Sequence, residues 1–254
     1  MKETIYTIPI NEAYETDCEC PLCELESRLE KESVEYSLGA AMMEPDFRIV
    51  SNEKGYCRRH FTKMFSSGSK LPLALVLDTH LEKVRKGMDK FKDDAQAMSG
   101  EKKKLFKKPV GENVASSLSE YLTRLENSCV ICDKINYTMD RYADVLLYMF
   151  SSDDEFKEKF KKSKGVCLNH FKLLTDTAPK SLKGNSLNEF LTVLIEKQTA
   201  ELSRIQDDIH RFTLKFDYRN TNMEWGTAKD APVRTIEKLV GFIHETEKSN
   251  NGES

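Results

Sequence analysis

Apolar residues recur at helical spacing along most of the chain. The clearest seam advances by steps of three, four or seven residues and comprises Leu191, Ile195, Leu202, Ile205, Ile209, Phe212 and Phe216. This period predicts an amphipathic helix of about eight turns with one buried face. Gln198 interrupts the seam, and we expect a buried polar contact there.

Other segments show the same period. Residues 22–43 and 131–150 each indicate a helix, and Asp153 and Asp154 are placed to cap a short helix that runs through Phe160. Asp230 and Pro232 are typical of the start of a final helix. Alternating strand patterns are scarce, so the sequence predicts an all-α fold.

A cysteine–histidine pattern occurs twice along the predicted helices. Each copy has a Cys-x-x-Cys pair followed, after 33 residues in the first copy and 34 in the second, by Cys-x-x-His-Phe. The first copy contains Cys20, Cys23, Cys57 and His60, and the second contains Cys129, Cys132, Cys167 and His170. Three thiolates and one imidazole form a complete tetrahedral zinc set, so we expect two Zn²⁺ ions per chain.

The repeat extends beyond the candidate ligands. A Lys-Gly pair precedes each Cys-x-x-His element, and an offset of 114 residues relates two long amphipathic segments. That offset maps Leu73, Leu77, Leu81, Val84, Met88 and Phe91 onto Leu187, Leu191, Ile195, Gln198, Leu202 and Ile205. We therefore expect two duplicated helical modules, each clamped by its own Cys₃His site, packed into one bundle.

The spacing within each pair suits metal binding. A Cys-x-x-Cys turn brings two sulfurs to one ion, and the two residues of Cys-x-x-His share a face if they lie on the first turn of a helix. A helix N-terminus also favours the thiolate form of the cysteine there. Four protein ligands favour a closed structural site, since a catalytic zinc usually keeps one position for water. Ligand exchange between the copies, an iron–sulfur cluster and ordinary buried thiols are the alternatives. Cys18 lies outside the pattern and is interpreted as a bystander or a reactive thiol.

Composition narrows the class of protein. The 254-residue chain is 39% hydrophobic with a net charge of −3, which gives no general reason to bind nucleic acid or an anionic membrane. No apolar run approaches the length of a membrane span, and no signal peptide is visible. The seven cysteines, an odd number, argue for metal in a reducing compartment. We expect a cytoplasmic protein without nucleic-acid or membrane partners.

The repeat also predicts the domain boundaries. Residues 1–98 form the first module and residues 112–216 the second. Residues 99–111, which contain five lysines within seven positions, are interpreted as a basic linker. Residues 217–246 form a C-terminal crossover and helix, and residues 247–254 a disordered tail.

The C-terminal crossover has no counterpart after the first copy. It is dense in charged and aromatic residues and contains the only tryptophan. One interpretation is packing, with Trp225 as an anchor and Arg219 or Arg234 paired to Asp217 or Asp230. The other is a site for an anionic ligand or partner peptide, with candidate residues Asp217, Tyr218, Arg219, Trp225, Lys229, Asp230 and Arg234.

These motifs together resemble an uncharacterised family of bacterial helical proteins that is classed only as a domain of unknown function. The resemblance is carried by Cys20-Pro21-Leu22-Cys23, by the segment 57–61, by their second copies, and by the segment 217–232 with its Asp-Tyr-Arg, Trp-Gly and Lys-Asp-Ala-Pro elements. The second copy lacks the proline of the first pair. The resemblance implies a full-length member of that family and no particular activity.

Three functions are consistent with the sequence. The favoured one is a non-enzymatic, zinc-stabilised interaction or adaptor module with an unknown protein partner, because phosphate-loop, metalloprotease and hydrolase motifs are missing. The second is a metal or thiol-redox sensor. The third is a small-ligand binder or enzyme that uses the segment 217–234.

Overall fold

A computed structural model describes residues 4–100, 110–220 and 222–243 of the chain. These ranges contain eleven α-helices and no strand, which confirms the all-α prediction. The helices are α1 (Thr4–Glu15), α2 (Pro21–Leu38), α3 (Pro45–Lys54), α4 (Arg58–Ser66), α5 (Lys70–Gly100), α6 (Val110–Glu126), α7 (Val130–Ser152), α8 (Asp154–Lys162), α9 (Leu168–Ser181), α10 (Gly184–Leu214) and α11 (Ala231–Val240). Short 3₁₀ turns occupy Ala40–Met43, Tyr218–Asn220 and Gly226–Ala228.

Local signals place several helix ends as predicted. Asp153 caps α8, since its side chain accepts hydrogen bonds from the backbone N–H groups of Glu155 and Phe156. The final helix α11 begins directly after Asp230 with proline in its first turn. The predicted eight-turn helix is α10, which has 31 residues.

The buried face of α10 differs from the predicted seam. Phe190, Leu194, Gln198 and Ile205 are buried, whereas Ile195 is 52% exposed. The predicted seam is confirmed at Ile205, but near the start of α10 the buried row lies one position earlier, at Phe190 and Leu194 instead of Leu191 and Ile195. This difference arises because α10 packs against both α9 and α11, and those contacts decide which face is buried. Gln198 does make the expected polar contact, accepting a hydrogen bond of 3.4 Å from the backbone N–H of Val166.

The chain divides into two compact units. Unit 1 contains residues Met1–Arg28 and Tyr137–Ser254, and unit 2 contains Leu29–Asn136. Helices α2 and α7 each contribute residues to both units. The compact units therefore do not coincide with the predicted modules 1–98 and 112–216.

The core of unit 1 is aromatic. Phe150, Phe156, Phe160 and Phe190 are almost completely buried. The rings of Phe150 and Phe190 meet edge to face with centroids 5.0 Å apart, and Tyr14 of α1 stacks on Phe160 at 5.8 Å. Such pairs add directional packing energy to the burial of apolar area, and they join α1, α7, α8 and α10.

Unit 2 joins α3 to α5 through polar contacts. The side-chain hydroxyl of Thr79 donates a 2.7 Å hydrogen bond to Asn52 Oδ1, and His80 Nδ1 lies 2.8 Å from the Asn52 carbonyl oxygen. The His80 ring lies directly against Gly55, which has a φ of +63° and no space for a Cβ atom. This contact explains the glycine of the first Lys-Gly pair.

Two predicted segments fall largely outside the described residues. All five lysines of the basic linker 99–111 and the whole tail 247–254 lie there. Among the helices that are described, none is both long and apolar enough to cross a membrane.

Candidate metal centres

The eight predicted ligands assemble into two clusters, but not within the sequence copies. Site 1 consists of Cys20, Cys23, Cys167 and His170. Site 2 consists of Cys57, His60, Cys129 and Cys132. Each Cys-x-x-Cys pair clusters with the Cys-x-x-His pair of the other copy, which contradicts the expectation that each copy clamps its own site and agrees with the alternative of ligand exchange. Site 1 lies entirely in unit 1 and site 2 entirely in unit 2.

Helix N-termini position all four ligand pairs. Cys57 and Cys167 are the N-cap residues of α4 and α9, which places the histidine of each pair on the first helical turn. Cys20 and Cys129 directly precede α2 and α7. Each site is thus built from two helix starts, α2 with α9 and α4 with α7. The prediction that the two residues of each Cys-x-x-His pair lie together at the first turn of a helix is confirmed. The Cys-x-x-Cys pairs, predicted only to form turns, also lie at helix starts.

The ligand atoms of each site lie close together. In site 1, Cys23 Sγ is 3.6 Å from Cys167 Sγ, and His170 Nδ1 lies 3.3–3.4 Å from the three sulfurs.

Site 2 has nearly the same dimensions. Cys57 Sγ is 3.7 Å from Cys132 Sγ, and His60 Nδ1 lies 3.2–3.4 Å from the three sulfurs. Both clusters could therefore hold a metal ion between one imidazole nitrogen and three sulfurs.

Contacts within the clusters shift the pKa values of the candidate ligands in opposite directions. Burial opposes charge on Cys129, but a hydrogen bond from His60 outweighs it and lowers the thiol pKa to about 6. Burial likewise opposes charge on His60, whereas Cys129 and Glu30 raise its pKa to about 9. In site 1, contacts with Cys20 and Cys23 lower the pKa of Cys167. One thiolate is thus favoured in each site, whereas Cys167 raises the pKa of Cys23, and burial together with Cys129 raises that of Cys132. These thiols and the histidines would have to lose protons for a metal ion to bind.

A carboxylate lies behind each histidine. In site 2, Glu30 Oε1 is 3.0 Å from His60 Nε2, and the Glu30 side chain is fully buried. Arg59 and Lys63 contact the other oxygen of Glu30 at 2.8 and 2.6 Å. In site 1, Glu26 Oε2 is 3.5 Å from His170 Nε2. Such carboxylates orient a metal-binding imidazole and increase its basicity.

Site 1 is covered by the end of α11. Gly241 adopts a φ of +96°, and a Cβ atom on it would lie 3.3 Å from Cys23 Sγ and 3.8 Å from Cys167 Sγ. Asn169 Nδ2 donates a 3.0 Å hydrogen bond to the carbonyl oxygen of Val240. The backbone at the end of α11 therefore lies against the sulfurs of site 1.

A buried lysine joins α11 to the two turns that carry the ligands of site 1. Lys238 Nζ donates hydrogen bonds of 2.6 Å to the carbonyl oxygens of Glu19 and Lys164. In site 2 the corresponding positions are Ser128 and Lys54, and the Ser128 hydroxyl donates directly to the Lys54 carbonyl at 2.6 Å. Lys238 thus supplies in unit 1 the link that a serine hydroxyl makes in unit 2.

The structure does not bring the candidate residues of segment 217–234 together in one cluster. Arg219 pairs with Asp217 at 2.9 Å. Arg234 pairs with Asp230 at 2.9 Å and with Asp208 of α10 at 2.8 Å. These are ion pairs of the kind that the packing interpretation expects.

The other candidate residues of this segment are not part of those ion pairs. Trp225 packs against Phe212 with ring centroids 5.5 Å apart, Tyr218 is 84% exposed, and Lys229 is exposed on the surface.

Sequence reasoning missed the residues that support the ligands. Glu19, Glu26, Glu30 and Lys238 belong to no local motif, because their roles depend on contacts between helices. For Glu19 a weak signal was its position directly before the first ligand, Cys20. Cys18 lies in neither cluster, and burial raises its thiol pKa to about 11.

Comparison with known proteins agrees with the resemblance seen in the motifs. The profile of a family described as "Family of unknown function (DUF6062)" matches residues 1–246. The chain is also 25% identical over 229 residues to a protein of Caldicellulosiruptor sp. (strain Rt8B.4) named "Uncharacterized 23.9 kDa protein in xynA 3'region". That alignment covers 90% of this chain and 96% of the relative. No solved structure matches the chain significantly. The chain therefore belongs to the family of unknown function DUF6062.

Proposed function

We propose that the chain binds two zinc ions, one at each site, and that these ions hold a helical scaffold together. The observation that carries this proposal is the spacing of the ligand atoms. A tetrahedral zinc ion with ordinary bond lengths separates two sulfurs by about 3.8 Å, and a sulfur from a nitrogen by about 3.6 Å. The observed separations of 3.6–3.7 Å and 3.2–3.4 Å lie within a few tenths of an ångström of these values.

Electrostatics supports the same assignment. Three thiolates and one Zn²⁺ ion carry a net charge of −1. The two helix N-termini that meet at each site contribute the equivalent of about +0.5 charge each. Each loaded site would therefore be close to neutral, which reduces the cost of burying it.

A structural role is favoured over a catalytic one. Each site offers four protein ligands, which leaves no open coordination position for water or substrate. Structural zinc contributes folding energy directly, so metal removal would destabilise each unit. A zinc-stabilised scaffold of this kind is consistent with an interaction or adaptor module. That it binds a protein partner is a prediction made from the sequence.

We propose further that the two halves of the chain arose by duplication and then exchanged ligand pairs. Helices α1 to α5 correspond in order to α6 to α10, and α5 and α10 are both 31 residues long. Each site takes its Cys-x-x-Cys pair from one half and its Cys-x-x-His pair from the other.

The test is elemental analysis with native mass spectrometry on protein purified under reducing conditions without added metal. We expect two zinc ions per chain. Cys57→Ser with Cys132→Ser removes two ligands of one site, so this variant should retain one zinc ion. Cys23→Ser with Cys57→Ser damages both sites and should retain none. Iron in place of zinc, or one zinc ion retained by the second variant, would contradict the assignment.

A further inference from the structure

The two metal sites differ in how far solvent reaches their sulfurs. In site 1, the exposed fractions of Cys20, Cys23 and Cys167 are 0%, 2% and 0%. In site 2, Cys129 is buried, but Cys57 and Cys132 are partly exposed. The ligand types are the same, so the difference arises from what surrounds them.

The end of α11 accounts for the cover over site 1. The Gly241 backbone lies against the sulfurs of Cys23 and Cys167, where a Cβ atom would be 3.3 and 3.8 Å away. A side chain at this position would force the backbone away from the metal ligands. Its positive φ of +96° also favours glycine.

Buried charges hold this cover in place. The side chain of Lys238 is fully buried and bonds to two carbonyl oxygens of the ligand-bearing turns. Arg234 of α11 contacts Asp208 of α10 at 2.8 Å, and Thr227 donates to the same carboxylate at 2.6 Å. Opening α11 would separate Lys238 from Glu19 and Arg234 from Asp208, and this is costly because it removes these cations from carboxylates that are largely buried.

We propose that site 2 is the modification site of the chain for soft electrophiles such as α,β-unsaturated carbonyl compounds, and that α11 protects site 1 from them. This inference rests on the proposed zinc function. The thiolate sulfur of Cys57 or Cys132 would add to the β-carbon of the electrophile and form a carbon–sulfur bond, giving up its place as a metal ligand. The electron pair of the carbon–carbon double bond moves to the α-carbon, which takes a proton from water. The resulting thioether would no longer be a thiolate ligand, so a zinc ion held by site 2 would be released.

N-ethylmaleimide tests this order of reaction. The full chain, carrying Cys18→Ser so that every remaining thiol is a ligand, receives the reagent in limiting amounts. A chelating dye records zinc release, and peptide mass spectrometry maps the adducts. We expect the first zinc ion to leave as Cys57 and Cys132 become alkylated. Site 1 should react at least about tenfold more slowly, because reaction there requires a rare open state.

Variants of the cover provide the second arm. Lys238→Met and the milder Asn169→Ala each weaken the attachment of α11 and should speed alkylation of Cys23 and Cys167 severalfold without changing site 2. Lys229→Met, at an exposed position before α11, is the matched control and should change neither site. If Lys238→Met fails to fold, Asn169→Ala still decides, since it removes one surface hydrogen bond.

The outcomes separate the two proposals. A purified chain without zinc would refute the zinc assignment. The adduct map would still show whether the thiols of site 2 react before those of site 1. Two zinc ions that leave at equal rates, or alkylation of site 1 before site 2, would overturn the inference while the zinc assignment stands. Unchanged site 1 rates in every folded cover variant would show that α11 does not protect the site.

Discussion

Replacing Glu30 by glutamine tests how site 2 holds its histidine. The Glu30 carboxylate is fully buried and lies 3.0 Å from His60 Nε2. Glu30→Gln keeps the size of the side chain and an oxygen that can accept a hydrogen bond, but removes its negative charge. Arg59 and Lys63 also contact this carboxylate, and their side chains are 52% and 30% exposed. They can return to water, so the main loss falls on His60.

The magnitude follows from the role of a carboxylate behind a metal-bound histidine. Loss of such a partner typically lowers metal affinity by about 10–100-fold, or about 1.4–2.7 kcal/mol. Because glutamine still accepts a hydrogen bond, we expect the lower end, about tenfold. The matched change at site 1 is Glu26→Gln. Glu26 is 34% exposed and 3.5 Å from His170 Nε2, so water can replace it. We expect at most about a fivefold loss there.

The assay needs one site at a time. Glu30→Gln is placed in a Cys167→Ser chain, which retains site 2, and Glu26→Gln in a Cys57→Ser chain, which retains site 1. Competition with a chelating dye of known zinc affinity then gives each dissociation constant relative to its parent. Equal losses of zinc affinity at the two sites, or a larger loss for Glu26→Gln, would refute the argument that the buried carboxylate orients the imidazole and increases its basicity.

Three further changes test the packing. Gly55→Ala should lower the free energy of unfolding, measured by urea titration, by about 1–3 kcal/mol more than Gly68→Ala does. A Cβ atom at position 55 would lie 2.4 Å from the His80 ring, whereas Gly68, which also has a positive φ, has open space around it. Equal losses for the two variants would exclude that clash. Phe160→Ala, at a 2% exposed position, should cost about 3–5 kcal/mol by the same measurement, and a loss below about 1 kcal/mol would show that the aromatic cluster is loosely packed. Burial opposes charge on Asp208, but its hydroxyl and guanidinium partners lower its pKa below 3.8, so it stabilises the fold above that pH and loses this effect as the pH falls through the lowered value. Asp208→Asn should therefore reduce stability at neutral pH and flatten the acid limb of the stability curve, and an unchanged acid limb would contradict this.

Helices and ligands were predictable from the sequence because both depend on local spacing. The apolar period predicts α7 and α10, and a cysteine at a helix start with a second ligand three residues later needs only the first helical turn. The ligand pairing was not predictable in this way. Cys57 carries the same chemistry whether its partner pair is Cys20 with Cys23 or Cys129 with Cys132, and no local feature records which pair it meets.

The supporting residues depend on the same long-range contacts. Glu30 resembles any other glutamate of α2, and Lys238 any other lysine of α11, until the helices pack. The register of α10 was misjudged for a related reason. Apolar spacing alone fits a row through Leu191 and Ile195 as well as one through Phe190 and Leu194, and the packing of α10 against α9 and α11 decides which row is buried.

The exchanged ligand pairs have a consequence for synthesis on the ribosome. As the chain emerges from its N-terminus, the first four ligands to appear are Cys20, Cys23, Cys57 and His60, which the folded protein divides between two sites. Site 2 becomes complete only when Cys132 has emerged, and site 1 only with His170. Under the proposed zinc assignment, an ion that binds the nascent chain early would therefore meet a chemically adequate but non-native set of ligands. Correct assembly of both proposed sites would require that ion to be released, or zinc to arrive after the first turn of α9 has emerged.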